Sequence, residues 1–275
     1  MRRSHGRVAP GSAPPPPPHR PGPLAAARAA PRGPAHTRAV SNAVAHRLEA
    51  LAADHGLDGA ACRRLDRLLD LLERREAPTA VHERRRAIDL HIADSLAGLA
   101  LPELKGARRI ADLGAGAGLP GLPLATALPA ARVALVESAG RKCAFLQQAV
   151  EVLELGNAEV VCARAEAWKE GLAACDAVCA RALATLPVLC EYAAPLLSDQ
   201  GVLIAWKGYV DDVEAADGRA AAARVGLEWG RVEAVAPRPG AERRTLHVYR
   251  KVAPTPPEFP RRPGIATKRP LSART

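Results

Sequence analysis

Residues 112–121 read DLGAGAGLPG and hold four glycines within ten positions. A short apolar run at 109–113 precedes this glycine loop, and a helical pattern at 119–127 follows it, as in a strand, a turn and a crossover helix. Glycines allow a tight turn and a close approach of backbone to a ligand. In an open α/β sheet, ligands bind at the carboxyl ends of the strands. We therefore predict that the glycine loop is the ligand-binding loop of an α/β sheet.

The rest of the chain alternates short β-type runs with longer helical stretches. The β-type runs cover 109–113, 132–137, 158–162, 176–180, 202–206, 228–236 and 243–251. The helical stretches between them cover 119–127, 140–155, 184–197 and 210–223. This alternation predicts right-handed crossovers and a parallel sheet with helices on both faces. The last two runs are joined through Pro237, Pro239 and Gly240, which is too short a link for a crossover, so we expect them to be antiparallel.

Charge and proline divide the chain into a near-neutral body and two basic ends. Residues 1–40 hold seven Arg, ten Pro and no acidic residue, and residues 252–275 hold five Lys or Arg, one Glu and six Pro. Since these ends carry +7 and +4 of the formal net charge of +10, the residues between them carry −1. We expect a disordered tail over 1–40, a helical segment over 41–105, a Rossmann-like domain over 106–252 and a basic proline-rich tail over 253–275.

Composition excludes several classes of protein. The sequence contains no run of about 18 apolar residues, so no membrane span is predicted. The Arg-rich start lacks the apolar core of a secretory signal. The six Cys form no C-x-x-C pair, so we expect no metal site, no disulfide scaffold and the reduced thiols of a cytoplasmic protein. An aromatic content of 3% counts against a base-stacking platform for single-stranded RNA. Nothing in the sequence indicates a stable protein partner.

Two classes of ligand compete for the glycine loop. Residues 116–121 match the Gly-x-Gly-x-x-Gly dinucleotide fingerprint, whereas Gly114, Gly116 and Gly118 with Asp112 match the loop that binds S-adenosyl-L-methionine. An acid at the mouth of the loop would repel a pyrophosphate, but it would attract an ammonium and a sulfonium. Together with the antiparallel last strand, this acid favours S-adenosyl-L-methionine and the seven-stranded sheet of a class I methyltransferase.

Candidate site residues also stand at the ends of the next strands. Glu137 ends the second strand, where a carboxylate can accept both hydroxyls of a ribose in either class of ligand. Ala165 and Glu166 follow the third strand, where an adenine ring would lie. Arg181 and Lys207 end the fourth and fifth strands and border the same crevice. An ion pair or a solvated loop would explain Glu166 and Arg181 equally well.

The glycine loop and its surroundings resemble the ribosomal RNA small subunit methyltransferase G family, also called glucose-inhibited division protein B. The LPGLP sequence at 119–123 is much more specific than a generic glycine loop. Supporting matches are HIADS at 91–95, ES at 137–138, RK at 141–142, FL at 145–146, RAE at 164–166, CARA at 179–182, WKG at 206–208 and FPRRPG at 259–264. The resemblance covers roughly residues 60–270.

The resemblance implies a cytoplasmic enzyme that uses S-adenosyl-L-methionine to methylate N7 of one guanine in the decoding-region loop of 16S ribosomal RNA. Its partner would be that RNA or the small ribosomal subunit. The matched motifs imply cofactor-binding positions at Gly114, Leu119, Ala165, Glu166 and Arg181, with Glu137 for the ribose. The alternatives are a methyltransferase acting on a small molecule or a protein and, further off, a dinucleotide-dependent oxidoreductase.

This sequence departs from the family in one element. Members usually carry Asn-Leu-Thr before the His-x-x-Asp-Ser stretch, whereas residues 77–86 here read APTAVHERRR. If the missing element holds RNA, residues 84–86 are the candidates to replace it. The roles of His91 and Asp94, which share one helix face, stay open.

The chemistry of guanine predicts the mechanism. N7 carries a lone pair in neutral guanine, so no proton has to leave before it attacks a methyl group. We therefore predict that no general base is essential. Catalysis would consist of in-line positioning, with Arg181 and Lys207 orienting the guanine and nearby phosphates.

Overall fold

The computed structural model describes residues 34–237, 241 and 244–273, and for residues 34–41 it describes the backbone alone. The sequence predicts a disordered tail over residues 1–40, and residues 1–33 of that segment lie outside the described residues. Helix α1, Pro34–Asp54, begins within that segment, so the helical part starts earlier than predicted. Proline suits this first position because its missing N–H would have no partner there. From Val40 onward the described residues form one compact unit.

A group of short helices leads into the sheet. They are α2 (Gly59–Leu72), α3 (Arg84–Ala87), a π-helical turn (Ile88–Ala93), α4 (Asp94–Leu96), a 3₁₀ turn (Ala97–Ala100) and α5 (Pro102–Gly106). Asp58 caps α2 by accepting a hydrogen bond from the amide of Ala61 at 2.7 Å, as expected of an N-cap aspartate. Within the described ranges, no helix is both long and apolar enough to cross a membrane.

Seven strands form one mixed sheet with the order β3-β2-β1-β4-β5-β7-β6. They are β1 (Arg109–Leu113), β2 (Arg132–Glu137), β3 (Ala158–Cys162), β4 (Cys175–Arg181), β5 (Leu197–Lys207), β6 (Leu227–Val235) and β7 (Arg244–Lys251). Strands β1 to β5 are parallel, and β7 is antiparallel to both β5 and β6. The predicted fold class is confirmed, including the antiparallel last pair. Most of the predicted link between that pair, 238–240, lies outside the described residues.

Helices cover both faces of the sheet. The crossover helices are α6 (Gly121–Ala127), α7 (Gly140–Val152), α8 (Leu186–Ala193) and α9 (Asp212–Val225). On one face, Leu122 of α6 and Leu146 of α7 share a core with Leu65 of the leading helices. On the other face, Leu189 of α8 and Ala222 of α9 form a second core. The leading helices therefore extend one face of the domain.

The C-terminal segment departs from its prediction as a tail. Through residue 273 it packs on the second face of the sheet, and it includes helix α10, Ile265–Lys268. Ala266 and Leu271 are buried in the core with α8 and α9. The guanidinium of Arg261 pairs with the carboxylate of Glu191, which is only 1% exposed. A buried carboxylate needs such a partner, so this basic residue is part of the fold.

The cysteines also depart from their prediction. Cys143 on α7 and Cys162 at the end of β3 are joined in a disulfide, while Cys62, Cys175, Cys179 and Cys190 are free. Parallel pairing places Cys162 beside Glu137 at the end of β2, and α7 begins three residues after that strand. This proximity depends on strand order and is invisible in the spacing of the two cysteines.

Candidate active site

Three glycines shape the loop after β1. Gly114, Gly116 and Gly118 have φ values of +66°, +56° and +83°, which residues with a side chain rarely adopt. The amides of Gly114 and Ala115 donate to the carbonyl of Val136 at 2.8 and 3.1 Å. These bonds hold the loop against the end of β2. A Cβ on Gly114 would lie 2.6 Å from a methyl carbon of Leu183, so a side chain there would have to displace that leucine as well as strain the backbone.

Asp112 lies beneath the glycine loop instead of at its mouth. Its side chain is completely buried. Its Oδ2 accepts a hydrogen bond from the amide of Gly121 at 2.8 Å, whereas Oδ1 has no partner among the described residues. Burial raises the pKa of Asp112 to about 7, because a low-dielectric surrounding disfavours the ionised form. Asp112 is therefore not placed to attract a cationic ligand at the mouth of the loop, as the sequence predicted. Its carboxyl group holds the start of α6.

Glu137 is the carboxylate that the fold holds ready at the end of β2. Its side chain is 7% exposed. Oε1 accepts from the amides of Ser138 and Ala139 at 2.8 and 2.9 Å, and Oε2 accepts from the amide of Gly116 at 3.1 Å. Three backbone donors therefore fix both oxygens and couple the glycine loop to the start of α7.

A cavity of about 400 Å³ opens at the carboxyl ends of β1 to β4. Four predicted site residues, Gly114, Glu137, Ala165 and Glu166, line it. The other lining residues have no role predicted from the sequence; they are Val136, Ser138, Lys142, Ala163, Arg164, Ala182, Leu183, Ala184, Tyr192 and Thr267. The volume falls in the range of small-molecule sites. The other predicted loop positions do not line the cavity. Gly116 is half-buried beside Glu137, while Gly118 and Leu119 are buried.

The C-terminal segment forms one wall of this cavity. The amide of Gly264 donates to Oε1 of Glu166 at 2.9 Å. Thr267 lines the cavity, and its hydroxyl lies 3.0 Å from that of Tyr192. One oxygen of the predicted adenine acceptor is therefore engaged by the chain itself. Sequence reasoning missed this wall, although Ala266 and Leu271 were an apolar signal within the basic ending.

Arg181 is part of an ion-pair cluster beside the cavity and does not line it. Its Nη1 donates to Oδ2 of Asp94 at 2.7 Å and to the carbonyl of Leu90 at 3.1 Å. Arg244 binds the same carboxylate from β7, with Nη2 3.0 Å from Oδ2. The indole of Trp206 donates to the carbonyl of Asp94 at 2.9 Å. Asp94, which is 3% exposed, thus joins the leading helices to β4, β5 and β7.

His91 lies next to this cluster and is structural. Its Nε2 lies 2.8 Å from the hydroxyl of Thr79, while Nδ1 is buried without a partner in the described part of the chain. Burial, together with the positive charge of Arg181, lowers the pKa of His91 to about 4. The ring is therefore neutral at neutral pH and adds no charge next to the cluster.

Lys207 ties the ends of two strands together at the rim. Its Nζ lies 2.6 Å from Oε1 of Glu214 and donates to the carbonyl of Ala184 at 3.1 Å. Glu214 also accepts from the amide of Leu186 at 2.9 Å. This positions the loop after β4, which lines the cavity, relative to the end of β5.

The basic stretch 84–86 does not act as one unit. The guanidinium of Arg84 pairs with Asp66, Asp70 and Glu73 on α2, so it holds α3 against α2. Arg85 and Arg86 are exposed. The predicted replacement for the missing family element therefore reduces to these two side chains. In the described ranges 34–237 and 244–273, no three His, Cys, Asp or Glu side chains are grouped to hold a metal ion.

Comparison with known proteins supplies independent evidence. The model of the rRNA small subunit methyltransferase G family matches residues 43–239. A protein of that name from Rubrobacter xylanophilus is 44% identical over 187 residues, covering 66% of this chain and 72% of the relative. One from Roseiflexus castenholzii is 44% identical over 198 residues, covering 70% and 83%. The apo structure of the S-adenosylmethionine-dependent methyltransferase SibL shares the fold, with a TM-score of 0.51 and 15% identity over 80% of this chain and 77% of that one.

Proposed function

The chain belongs to the rRNA small subunit methyltransferase G family, and from this membership we propose its reaction. It transfers a methyl group from S-adenosyl-L-methionine to N7 of one guanine in the decoding-region loop of 16S ribosomal RNA. The substrate is that RNA or the small ribosomal subunit, which places the enzyme in the cytoplasm. The observation that carries the proposal is the joining of the glycine loop, Glu137 and Glu166 around one cavity.

The residues around the cavity fit this cofactor. Glu137 presents a carboxylate whose oxygens are already oriented by three backbone amides, as hydrogen bonding to a ribose requires. Ala165 and Glu166 lie on the side that suits an adenine, with Thr267 and Tyr192 as additional wall. When bound, S-adenosyl-L-methionine supplies a methyl group on a positively charged sulfur, which makes that group susceptible to attack by a lone pair.

The chain's own residues contribute position, not proton transfer. N7 of neutral guanine attacks through its lone pair, so the reaction leaves no proton for a base to remove at that atom. Asp94 and Glu214 hold the side chains of Arg181 and Lys207, and both positive charges are therefore fixed in direction. Neither side chain lines the cavity, so we propose that they position the guanine indirectly, by fixing the ends of β4 and β5 and the loop after β4 around the crevice.

The electrostatic attraction of RNA comes mainly from the two ends of the chain. The body of the chain, residues 41–251, carries a formal charge of −1, so the basic ends supply most of the attraction to phosphates. Such attraction is independent of sequence and is screened by salt. Selection of the target must therefore come from the shape and contacts of the crevice.

A deletion strain tests the proposal directly. N7-methylguanine in 16S ribosomal RNA is mapped in the strain without the gene, with the wild-type gene restored, and with a Gly114→Val variant restored. We expect the methyl group to disappear on deletion and to return only with the wild-type gene. An unchanged methylation map in the deletion strain would refute the proposed substrate. Calorimetric titration with S-adenosyl-L-methionine and with a nicotinamide dinucleotide separately tests the cofactor.

A further inference from the structure

Tyr209 is an aromatic side chain that the fold leaves in water. All eight aromatic residues, three Trp, three Tyr and two Phe, lie in the described part of the chain. Trp206 and Tyr249 are 1% exposed, Trp229 is 41% exposed, and Tyr209 is 80% exposed. A ring that exposed contributes little to packing, so its position calls for another explanation.

Tyr209 lies on the edge of the sheet that also carries the cavity. It follows Lys207 and Gly208 directly after β5, at the edge of the sheet where the cavity opens. Lys207 is bonded to the carbonyl of Ala184, which lines the cavity. Two residues span at most about 7 Å of backbone, so the backbone of Tyr209 stays near Lys207 at this edge of the sheet.

A second exposed apolar side chain occupies the same rim. Leu183 is 38% exposed and lines the cavity. It lies against Gly114, since a Cβ built on that glycine would meet its methyl carbon. Ala184 follows Leu183, and its carbonyl accepts a hydrogen bond from Nζ of Lys207. This bond fixes the loop that carries Leu183 relative to the segment that carries Tyr209. This edge of the sheet thus presents an exposed leucine in the cavity lining and an exposed aromatic ring after the next strand.

Building on the proposed function, we infer that Tyr209 stacks on the target guanine and holds its N7 edge toward the cavity. A base that is taken out of its own stack loses neighbours, and an aromatic side chain replaces them. The low aromatic content argues against a platform for several bases, but one ring is enough for one base. Leu183 supplies apolar surface beside the site of stacking.

Substitutions of Tyr209 in the full-length enzyme test this role. Methylation of small subunits from the deletion strain is measured for Tyr209→Phe, Tyr209→Leu, Tyr209→Ala and the wild type. We expect kcat/KM to stay within about twofold for Phe and to fall roughly 5- to 100-fold for Leu and Ala, from the loss of one stacking contact. The affinity for S-adenosyl-L-methionine and the melting temperature should not change. Trp229→Ala removes another exposed ring and should leave kcat/KM unaltered.

The outcomes separate the two proposals. If the wild type does not methylate the guanine, the proposed function fails and this inference fails with it. If the wild type is active and Tyr209→Ala equals Trp229→Ala, the inference alone is overturned. Full activity of Tyr209→Leu would also overturn it, because an apolar contact would then suffice without a ring.

Discussion

Arg244 and Asp94, 150 residues apart in sequence, meet in a bidentate ion pair beside the candidate active site, with Nη2 of the guanidinium 3.0 Å from Oδ2 of the carboxylate. Arg181 reaches the same carboxylate from β4 at 2.7 Å. Asp94 is thereby the single anion between two arginines, and it joins the leading helices to the sheet. The sequence left the role of Asp94 open, and the structure shows that it fixes two arginine side chains beside the cavity.

Replacing Asp94 should cost substantial stability. Asp94→Asn removes the negative charge and leaves the guanidinium of Arg181, with a side chain only 12% exposed, without its counter-ion. Breaking a buried pair from one side typically costs about 3–5 kcal/mol, and we expect a loss of the free energy of unfolding at the lower end of that range. Urea unfolding followed by circular dichroism measures it.

Asp89→Asn is the matched control for this change. Asp89 lies five residues away in the same helical region and pairs with Arg47, but both side chains are about one third exposed. Exposed pairs contribute about 1 kcal/mol or less. Equal losses for the two variants would show that burial of Asp94 has no special weight.

Gly114→Val should abolish cofactor binding. The new side chain would require a strained backbone at φ +66° and would meet Leu183 at 2.6 Å. Leu183 can move to relieve the contact, but the strain at positive φ is relieved only if the loop changes its backbone conformation. Such a change would displace the loop from the cavity that it lines, so we expect at least roughly a 100-fold loss of affinity, equivalent to about 3 kcal/mol. Calorimetric titration with S-adenosyl-L-methionine measures the loss.

The control for that glycine is Gly156→Val. A Cβ at Gly156 would meet no heavy atom within 4 Å, and the φ of this residue is not in the left-handed region. The variant should bind the cofactor with unchanged affinity. Retained affinity in Gly114→Val would show that the loop assignment is wrong.

The C-terminal segment should be needed for tight cofactor binding. Arg261→Ala removes the partner of the buried carboxylate of Glu191 and loosens the segment that carries Gly264 and Thr267 to the cavity wall. We expect about a tenfold weaker affinity for S-adenosyl-L-methionine, equivalent to about 1.4 kcal/mol, and faster proteolytic cleavage after residue 252. Arg262→Ala, at the exposed neighbouring position, should change neither measurement. Equal behaviour of the two variants would refute a supporting role for the segment.

Asp112 should make stability depend on pH. Because its folded pKa is raised to about 7, its contribution is complete below about pH 4, where the carboxyl is protonated in both states. As pH rises from about 4 to 7, the unfolded carboxyl ionises first, and stability falls by on the order of 4 kcal/mol. Asp112→Asn should remove this fall.

The effect of Asp112 on the pH dependence is measured as the difference in unfolding free energy between the wild type and Asp112→Asn. His91, whose folded pKa is lowered to about 4, acts with the opposite sign, since stability is lost as pH falls from about 6.5 through 4. Subtracting the stability of Asp112→Asn from that of the wild type at each pH isolates the aspartate. A difference that stays flat with pH would contradict the buried, protonated state of Asp112.

Removing residues 1–33 should weaken RNA binding without changing the target. This segment carries six Arg and no acid, and ends before helix α1 begins at Pro34. Its loss should lower the slope of log affinity against log salt by up to about five, since each phosphate contact contributes about 0.9. Filter binding across a salt series and mapping of the methylated guanine measure the two effects. A changed target base would refute the division of roles between tail and body.

The sequence alone determined the sheet and the glycine loop, because these depend on local periodicity and on glycines at positive φ, which other residues rarely adopt. The glycine pattern left two classes of ligand open, and the resemblance to the methyltransferase family decided between them. The sequence also placed Glu137 and Glu166 at one cavity, since Glu137 ends β2, Glu166 follows β3, and the carboxyl ends of these strands meet at one edge. Local pattern could not assign Asp112, because its burial depends on how α6 lies over β1.

Only the tertiary structure decided which charges are available. Arg181 and Arg84 were expected at the rim from their residue type, yet acidic side chains from other elements hold both guanidinium groups. The same holds for the C-terminal segment, whose basic composition predicted a tail, whereas Ala266 and Leu271 are buried. Pairing and burial are relations between distant parts of the chain, and the free energy of a charged group depends on those neighbours more than on its own identity.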